Sequence, residues 1–132
     1  MIRASEKIRI YTKSTGYISA EISLEKSPKT ARAILNALPI RGRINRWGDE
    51  IYFAIPVIEK EENAQEEVKV GDLGYWPPGK GFCIFFGRNP ASIGDEPRAA
   101  SPVNIFGCVL GNATVFKKTK SGEEILIENL AN

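Results

Sequence analysis

Residues 71–87 read GDLGYWPPGKGFCIFFG. Pro77-Pro78-Gly79 marks a turn, since proline pre-sets φ and glycine tolerates backbone angles that other residues avoid. VKVGDLGYW leads into that turn from residue 68, and GFCIFFG leaves it over 81–87 as a strand. Successive strand residues point to opposite sides, so Phe82, Ile84 and Phe86 share one face and Cys83 and Phe85 the other. Both faces are therefore apolar. A barrel strand has one inward face, so the outward one needs a cover. A helix, a neighbouring loop, a second subunit or a ligand cleft would each supply it.

Upstream, EKIRIYTK (6–13) and YISAEISL (17–24) alternate with period two around Ser14-Thr15-Gly16, which predicts a hairpin. The period then changes. Ser27-Pro28 signals a helix start with Ser27 as cap, Ala31, Ile34, Leu35 and Leu38 follow at helical spacing, and Pro39 ends the segment. A helix over 28–38 is predicted. Residues 40–49 read as a basic loop or short strand with a turn, and 50–58 as a strand with Ile51, Phe53 and Ile55 opposite Glu50, Tyr52 and Ala54. EKEENAQEE (59–67) has Ala64 as its one apolar residue and reads as a solvated, mobile loop or helical turn. Downstream lie a loop over 88–101, a strand over 103–111, a helical turn capped by Asn112, and a last strand over 123–129. The pattern predicts a mainly β, single domain over 1–132: a closed eight-stranded antiparallel barrel with one main helix and a short second helix.

Composition narrows the chemistry. The 132 residues suit one domain, and 42% hydrophobic with 26% charged residues suits a folded one. Eighteen basic against 16 acidic residues give a net charge of +2, too balanced to argue for nucleic acid or an anionic membrane. Histidine is absent, which removes Ser-His-Asp and Cys-His nucleophiles and histidine zinc sites. Cys83 and Cys108 lie in apolar runs and read as buried free thiols, with a disulfide as the alternative. No metal or cofactor is implied. The first residues lack the apolar region of a signal peptide and no stretch approaches a membrane span, so a cytoplasmic location is expected.

Three segments resemble cyclophilins. SPKTARAILNAL (27–38) is similar to their first helix, VNIFGCVLGNATVF (103–116) to their V-V-F-G-x-V-x-x-G stretch and short helix, and GFCIFFG to the strand lining their cleft. WGDEIYFAIPV (47–57), GDLGYWPPGKGFCIFFGRNP (71–90) and ASPVNIFG (100–107) look more specifically like the small prokaryotic cyclophilin-like proteins of uncharacterised function. The resemblance implies the eight-stranded cyclophilin-like barrel. Cyclophilins that isomerise prolyl bonds carry an arginine in F-H-R-I-I-P and a glutamine in G-F-M-x-Q-G-G-D-F. Here the comparable strand is Tyr52-Phe53-Ala54-Ile55-Pro56, with Ala54 nearest the arginine position, and the glutamine segment has no counterpart. Catalysis would need a group favouring the twisted amide, and no residue is placed to supply it.

Trp47, Tyr52, Tyr75, Trp76, Pro77 and Pro78 form the most unusual local set. They read either as an aromatic groove for a peptide or small planar ligand, or as a rigid turn whose tryptophan plugs the barrel. Phe85 joins the groove by the cyclophilin resemblance. Glu50 shares a face with Tyr52 and is the preferred carboxylate, whereas Asp49 points the other way and Asp72 reads as a turn residue. Arg88, directly after the apolar strand, is the candidate for holding a carboxylate or carbonyl, while Arg41, Arg43 and Arg46 read as a solvated loop. The expected ligand-binding set is thus Trp47, Glu50, Tyr52, Tyr75, Trp76, Phe85 and Arg88, with no catalytic or metal residue. The function expected is a non-catalytic module that binds a peptide or small molecule. The alternatives are a divergent prolyl isomerase or other enzyme using the same cleft, and a homo-oligomer whose apolar strand faces are subunit contacts.

Overall fold

Alternating apolar residues put Ile8 and Ile10, then Ala20 and Ile22, on the buried face of a hairpin. Its strands are β1 (Ser5–Thr12) and β2 (Gly16–Ser23), joined across a turn where Gly16 takes φ +70°. The computed structural model describes residues 4–130. After α1 (Pro28–Ala37) come β3 (Ile40–Arg43), β4 (Asn45–Arg46), β5 (Glu50–Ala54), β6 (Gln65–Glu67), β7 (Asp72–Trp76) and β8 (Gly81–Phe85). The long β9 (Arg98–Val109) and β10 (Glu124–Asn129) complete the strands, and short 3-10 turns cover Pro77–Gly79 and Ala113–Lys118. Asn112 caps the second of these through its side chain, as expected.

The architecture is mainly β and antiparallel, with strand order β3-β10-β1-β2-β9-β7-β8-β5-β4 and β6 paired to β9 off this path. Two expectations are corrected. There are ten strands among the described residues, two of them very short, where eight were expected. The ladder is also not closed, because β3 and β4 stand at its two ends and no pairing joins them. The peptide groups of Ile44, between those strands, are engaged with Glu123 and Gly122 instead. Side chains bridge the seam: a Cβ on Gly42 would stand 2.6 Å from Phe53 Cδ2, so only glycine lets that ring lie against β3. Inside the curl, Phe53 stacks on Phe82 at 5.3 Å and Phe82 meets Phe106 edge-on at 5.1 Å. β5 stops at Ala54, short of the expected 58, where Pro56 has no N–H for a ladder.

The start of α1 differs most from expectation. Ser27 makes no side-chain cap, and its hydroxyl donates to Glu62 O instead. The cap comes from Glu62, whose carboxylate accepts from Lys29 N, Thr30 N and the Thr30 hydroxyl at 2.9–3.0 Å. Buried Asn104 of β9 ties the same segment down, accepting from Glu62 N and donating to Lys60 O and Thr30 Oγ1. The acidic 59–67 tract, expected as a solvated loop or helical turn, is exposed at Lys60, Glu61, Asn63 and Glu67 but anchored at Glu62 and paired to β9 through β6.

Burial raises the Glu62 carboxyl, but the Thr30 and Lys29 amides, the Thr30 hydroxyl and the Lys29 charge outweigh it, leaving its pKa below the ordinary value. Glu62→Ala should therefore cost about 1 kcal/mol at neutral pH, seen as a lower urea midpoint with unchanged slope. A lowered folded pKa makes that contribution present above the unfolded value and lost as pH falls through the folded one. The gap between variant and wild type should narrow in acid. Equal midpoints at pH 7 would mean the cap is ornamental.

Candidate functional site

Strands β5, β8 and β7 lie side by side, and their register decides which residues share a face. Glu50 lies opposite Phe85 and Tyr52 opposite Cys83, while across β8 Gly74 faces Cys83 and Trp76 faces Gly81. Residues paired in register point the same way. One face thus carries Ile51, Phe53, Phe82, Ile84, Leu73 and Tyr75 into the main core. The other carries Glu50, Tyr52, Cys83, Phe85 and Trp76.

That second face is covered from β9. Val68, Ala99, Val103 and Ile105 close over Cys83 and Phe85 as a separate apolar cluster, with Tyr52 and Trp76 packed at its edge. Gly74 makes the approach feasible, since a Cβ there would stand 3.0 Å from Val103 Cγ2 and 3.3 Å from Phe85 Cε2. The cover is incomplete. It leaves a cleft of about 210 Å³ lined by the aromatic residues Trp47, Tyr52, Trp76 and Phe85, by Glu50 and Cys83, and by Ala99, Ala100 and Val103 of β9.

Each wall residue has a local cause. Trp47 opens the β4–β5 turn, where its N–H donates to Glu50 O at 2.9 Å and Gly48 takes φ +63°. Trp76 donates its indole N–H to Ser101 Oγ at 2.6 Å. Its ring rests on the Pro77–Gly79 turn: a Cβ on Gly79 would stand 2.5 Å from Trp76 Cζ3.

Glu50 is 6% exposed. Buried Asn89 donates to its Oε1 at 3.2 Å and to Arg98 O at 2.7 Å, while Asn89 Oδ1 accepts from Ala91 N and Ser92 Oγ. The loop after β8 therefore fixes the amide that orients the acid. Burial pushes the Glu50 carboxyl up to about 8, against the lowering effect of hydrogen bonds from Cys83 and Asn89. At neutral pH it is mostly a neutral acid. Burial, and then the nearby Glu50 charge, push the Cys83 thiol well above its ordinary value. Cys83 is thus a thiol and not an activated nucleophile. Both cysteines are free.

Of the residues expected at the site, Trp47, Glu50, Tyr52, Trp76 and Phe85 meet around this cleft. Tyr75 and Arg88 do not line it, a correction in both cases. Tyr75 neighbours Trp76 on one strand and so faces the opposite way, into the core, where its hydroxyl bonds Val57 O. Arg88 is exposed and donates to Gly94 O, bracing its own loop. Arg46 is likewise engaged, through Gly48 O, Lys117 O, Thr119 O and Asp49. Cys83, Asn89 and Val103 were not expected at the site. Cys83 is two residues from Phe85, so strand alternation alone could have placed it. Nothing local marks Asn89 or Val103. Among the described residues no group of three or more His, Cys, Asp or Glu side chains is arranged to hold a metal ion. Nor is any helix among them long and apolar enough to cross a membrane.

The sequence model of the family described as Cyclophilin-like matches residues 6–128. No curated protein matches the chain. Among solved structures, it is similar to the solution structure of the hypothetical protein AF2241 from Archaeoglobus fulgidus, with 42% sequence identity and a TM-score of 0.81. That likeness covers 96% of this chain and 95% of the other.

The raised Glu50 pKa gives a signed stability effect. Below the ordinary value of 4.5 the carboxyl is protonated whether the chain is folded or not. As pH rises from there through about 8, only the unfolded chain gives up the proton freely, so the contribution to stability is lost across that window. Glu50→Gln should remove this slope. By chemical denaturation the variant should gain on wild type by about 5 kcal/mol at most between acid and alkaline pH. Parallel pH profiles for the two proteins would show that Glu50 titrates normally.

Proposed function

The chain belongs to the cyclophilin-like family, and from that premise we propose that it is a non-catalytic binding module whose aromatic cleft takes one small ligand, or one side chain of a peptide, with a flat apolar face. The observation that carries this is the cleft itself: Trp47, Tyr52, Trp76 and Phe85 converge from three strands and a turn around about 210 Å³. For scale, a dry protein cavity of roughly 150 Å³ accommodates benzene. Apolar walls with a few placed polar groups are the usual composition of a small-molecule site.

Its lack of catalysis is supported by where the arginines go. A prolyl isomerase needs a cation or donor aimed at the substrate amide. Arg46 and Arg88 are held on backbone carbonyls away from the cleft, and Arg98 pairs with Glu66 at 2.8 Å.

A thermal-shift screen of aromatic, heteroaromatic and prolyl ligands tests the proposal. A compound that binds the native cleft at 100 times its Kd should stabilise the protein by about 2.7 kcal/mol, or several degrees in Tm, and quench tryptophan fluorescence. Trp76→Ala should abolish the shift and Trp76→Phe should keep most of it. A protease-coupled proline-peptide assay should read background. Rate enhancement lost in Arg46→Ala would instead establish the isomerase, and a screen without any shift would remove the cleft as a binding site.

A further inference from the structure

Glu50 is an acid buried against apolar and aromatic groups, and none of the ion pairs among the described residues includes it. The basic partners in those pairs are Arg9, Arg43, Arg46, Arg98 and Lys117, all engaged with other carboxylates. What touches the Glu50 carboxyl is neutral: the Asn89 amide and the Cys83 thiol. A buried carboxylate ordinarily has a cationic partner or a metal. Among the described residues neither is supplied, Glu50 holds its proton instead, and the cleft it lines is where a cation could reach it.

The walls favour the same sign of charge. Trp47, Tyr52 and Trp76 line the cleft, and aromatic faces attract cations most strongly where water is excluded. An acid that shares a cleft with aromatic side chains is complementary to an organic cation: the carboxylate meets the net charge and the rings meet the alkyl or aryl shell that carries it. A neutral carbonyl ligand would use only one hydrogen bond from the protonated acid, and an anion would be disfavoured by the ring faces and, once Glu50 ionises, by its charge.

We propose that the cleft binds a small organic cation, an alkyl- or arylammonium or an amidinium, with its charged head against Glu50 and its apolar part between Trp47, Tyr52 and Trp76. This rests on the cleft being the binding site. Binding is coupled to a proton: neutral Glu50 and the free cation become a carboxylate–cation pair, and the proton leaves to solvent. The coupling belongs to Glu50. The other titratable groups facing it are Tyr52 on its own strand and Cys83 on β8, whose thiol stays protonated; Asn89 from the loop does not titrate. Arg98 on β9 is paired with Glu66, and neighbouring Asp49 with Arg46 and Lys117.

Two probes decide it by calorimetry: phenyltrimethylammonium, a permanent cation, and benzyl alcohol, a neutral ring of like size. The cation should bind about tenfold or more tighter near pH 9 than near pH 6, because only the ionised acid attracts it. Near neutral pH it should release close to one proton, read from the heat in two buffers of different ionisation enthalpy. The alcohol should bind weakly and without pH dependence. Glu50→Gln should flatten the cation's pH profile while keeping the alcohol's affinity, which also reports that the variant is folded. Cation affinity that is flat or falls with pH, or alcohol binding equal to the cation near pH 9, overturns the cation site and leaves the cleft as a binding site. If neither probe binds at either pH and the broader ligand screen is also blank, both proposals fall together.

Discussion

Every residue of β8 from Gly81 to Phe85 is buried, and the rest of the structure follows from that constraint. A strand has two faces, and one sheet curled on itself can hide only one of them. Phe82 and Ile84 go into the main core, where aromatic contacts across the curl hold β5, β8 and β9 together. Cys83 and Phe85 face outward and would expose apolar surface to water. The first half of β9 turns over them with β6 on its edge, which is why β9 runs for 12 residues and pairs with three other strands. The cleft is where that cover stops.

Two of the buried polar side chains, Asn104 and Glu50, differ in kind. Asn104 has each of its amide atoms matched by the helix start or the 59–62 segment, so it fixes one arrangement of α1, β9 and the acidic tract. Its neighbour in that network, Glu62, supplies charge where the helix dipole favours it. Glu50 is oriented by an amide as well but meets no cation among the described residues. A fully matched group specifies structure, whereas one left short of its natural partner is the place to look for a ligand.

The elements themselves were legible in the sequence because their signals are local. Period-two alternation gave the first hairpin and both faces of β5 and β8, and the Ser-Pro start with its helical spacing gave α1 to within a residue. Alternation also grouped Glu50 with Tyr52 and Phe85 with Cys83, so much of the cleft could be read before its walls were known to meet. The errors come from contacts far apart in sequence. Glu62 caps a helix more than thirty residues earlier, and composition alone makes the same acidic tract look solvated. Arg88 looked available because its acceptor, Gly94 O, depends on how one loop folds back.

What the sequence determined by itself is the kind of chain this is and which residues share a strand face. Alternation, turn residues and the absence of histidine are properties of neighbours and of composition, and they need no partner to be read. Tertiary structure alone decided that the sheet's ends meet without pairing, which face of β7 goes into the core and which into the cleft, and that Asn89 and Val103 complete a site begun by β5 and β8. It also decided the state of Glu50. A carboxyl's charge depends on how much water the rest of the chain leaves around it, and that is fixed only when β9 has closed over the face beside it.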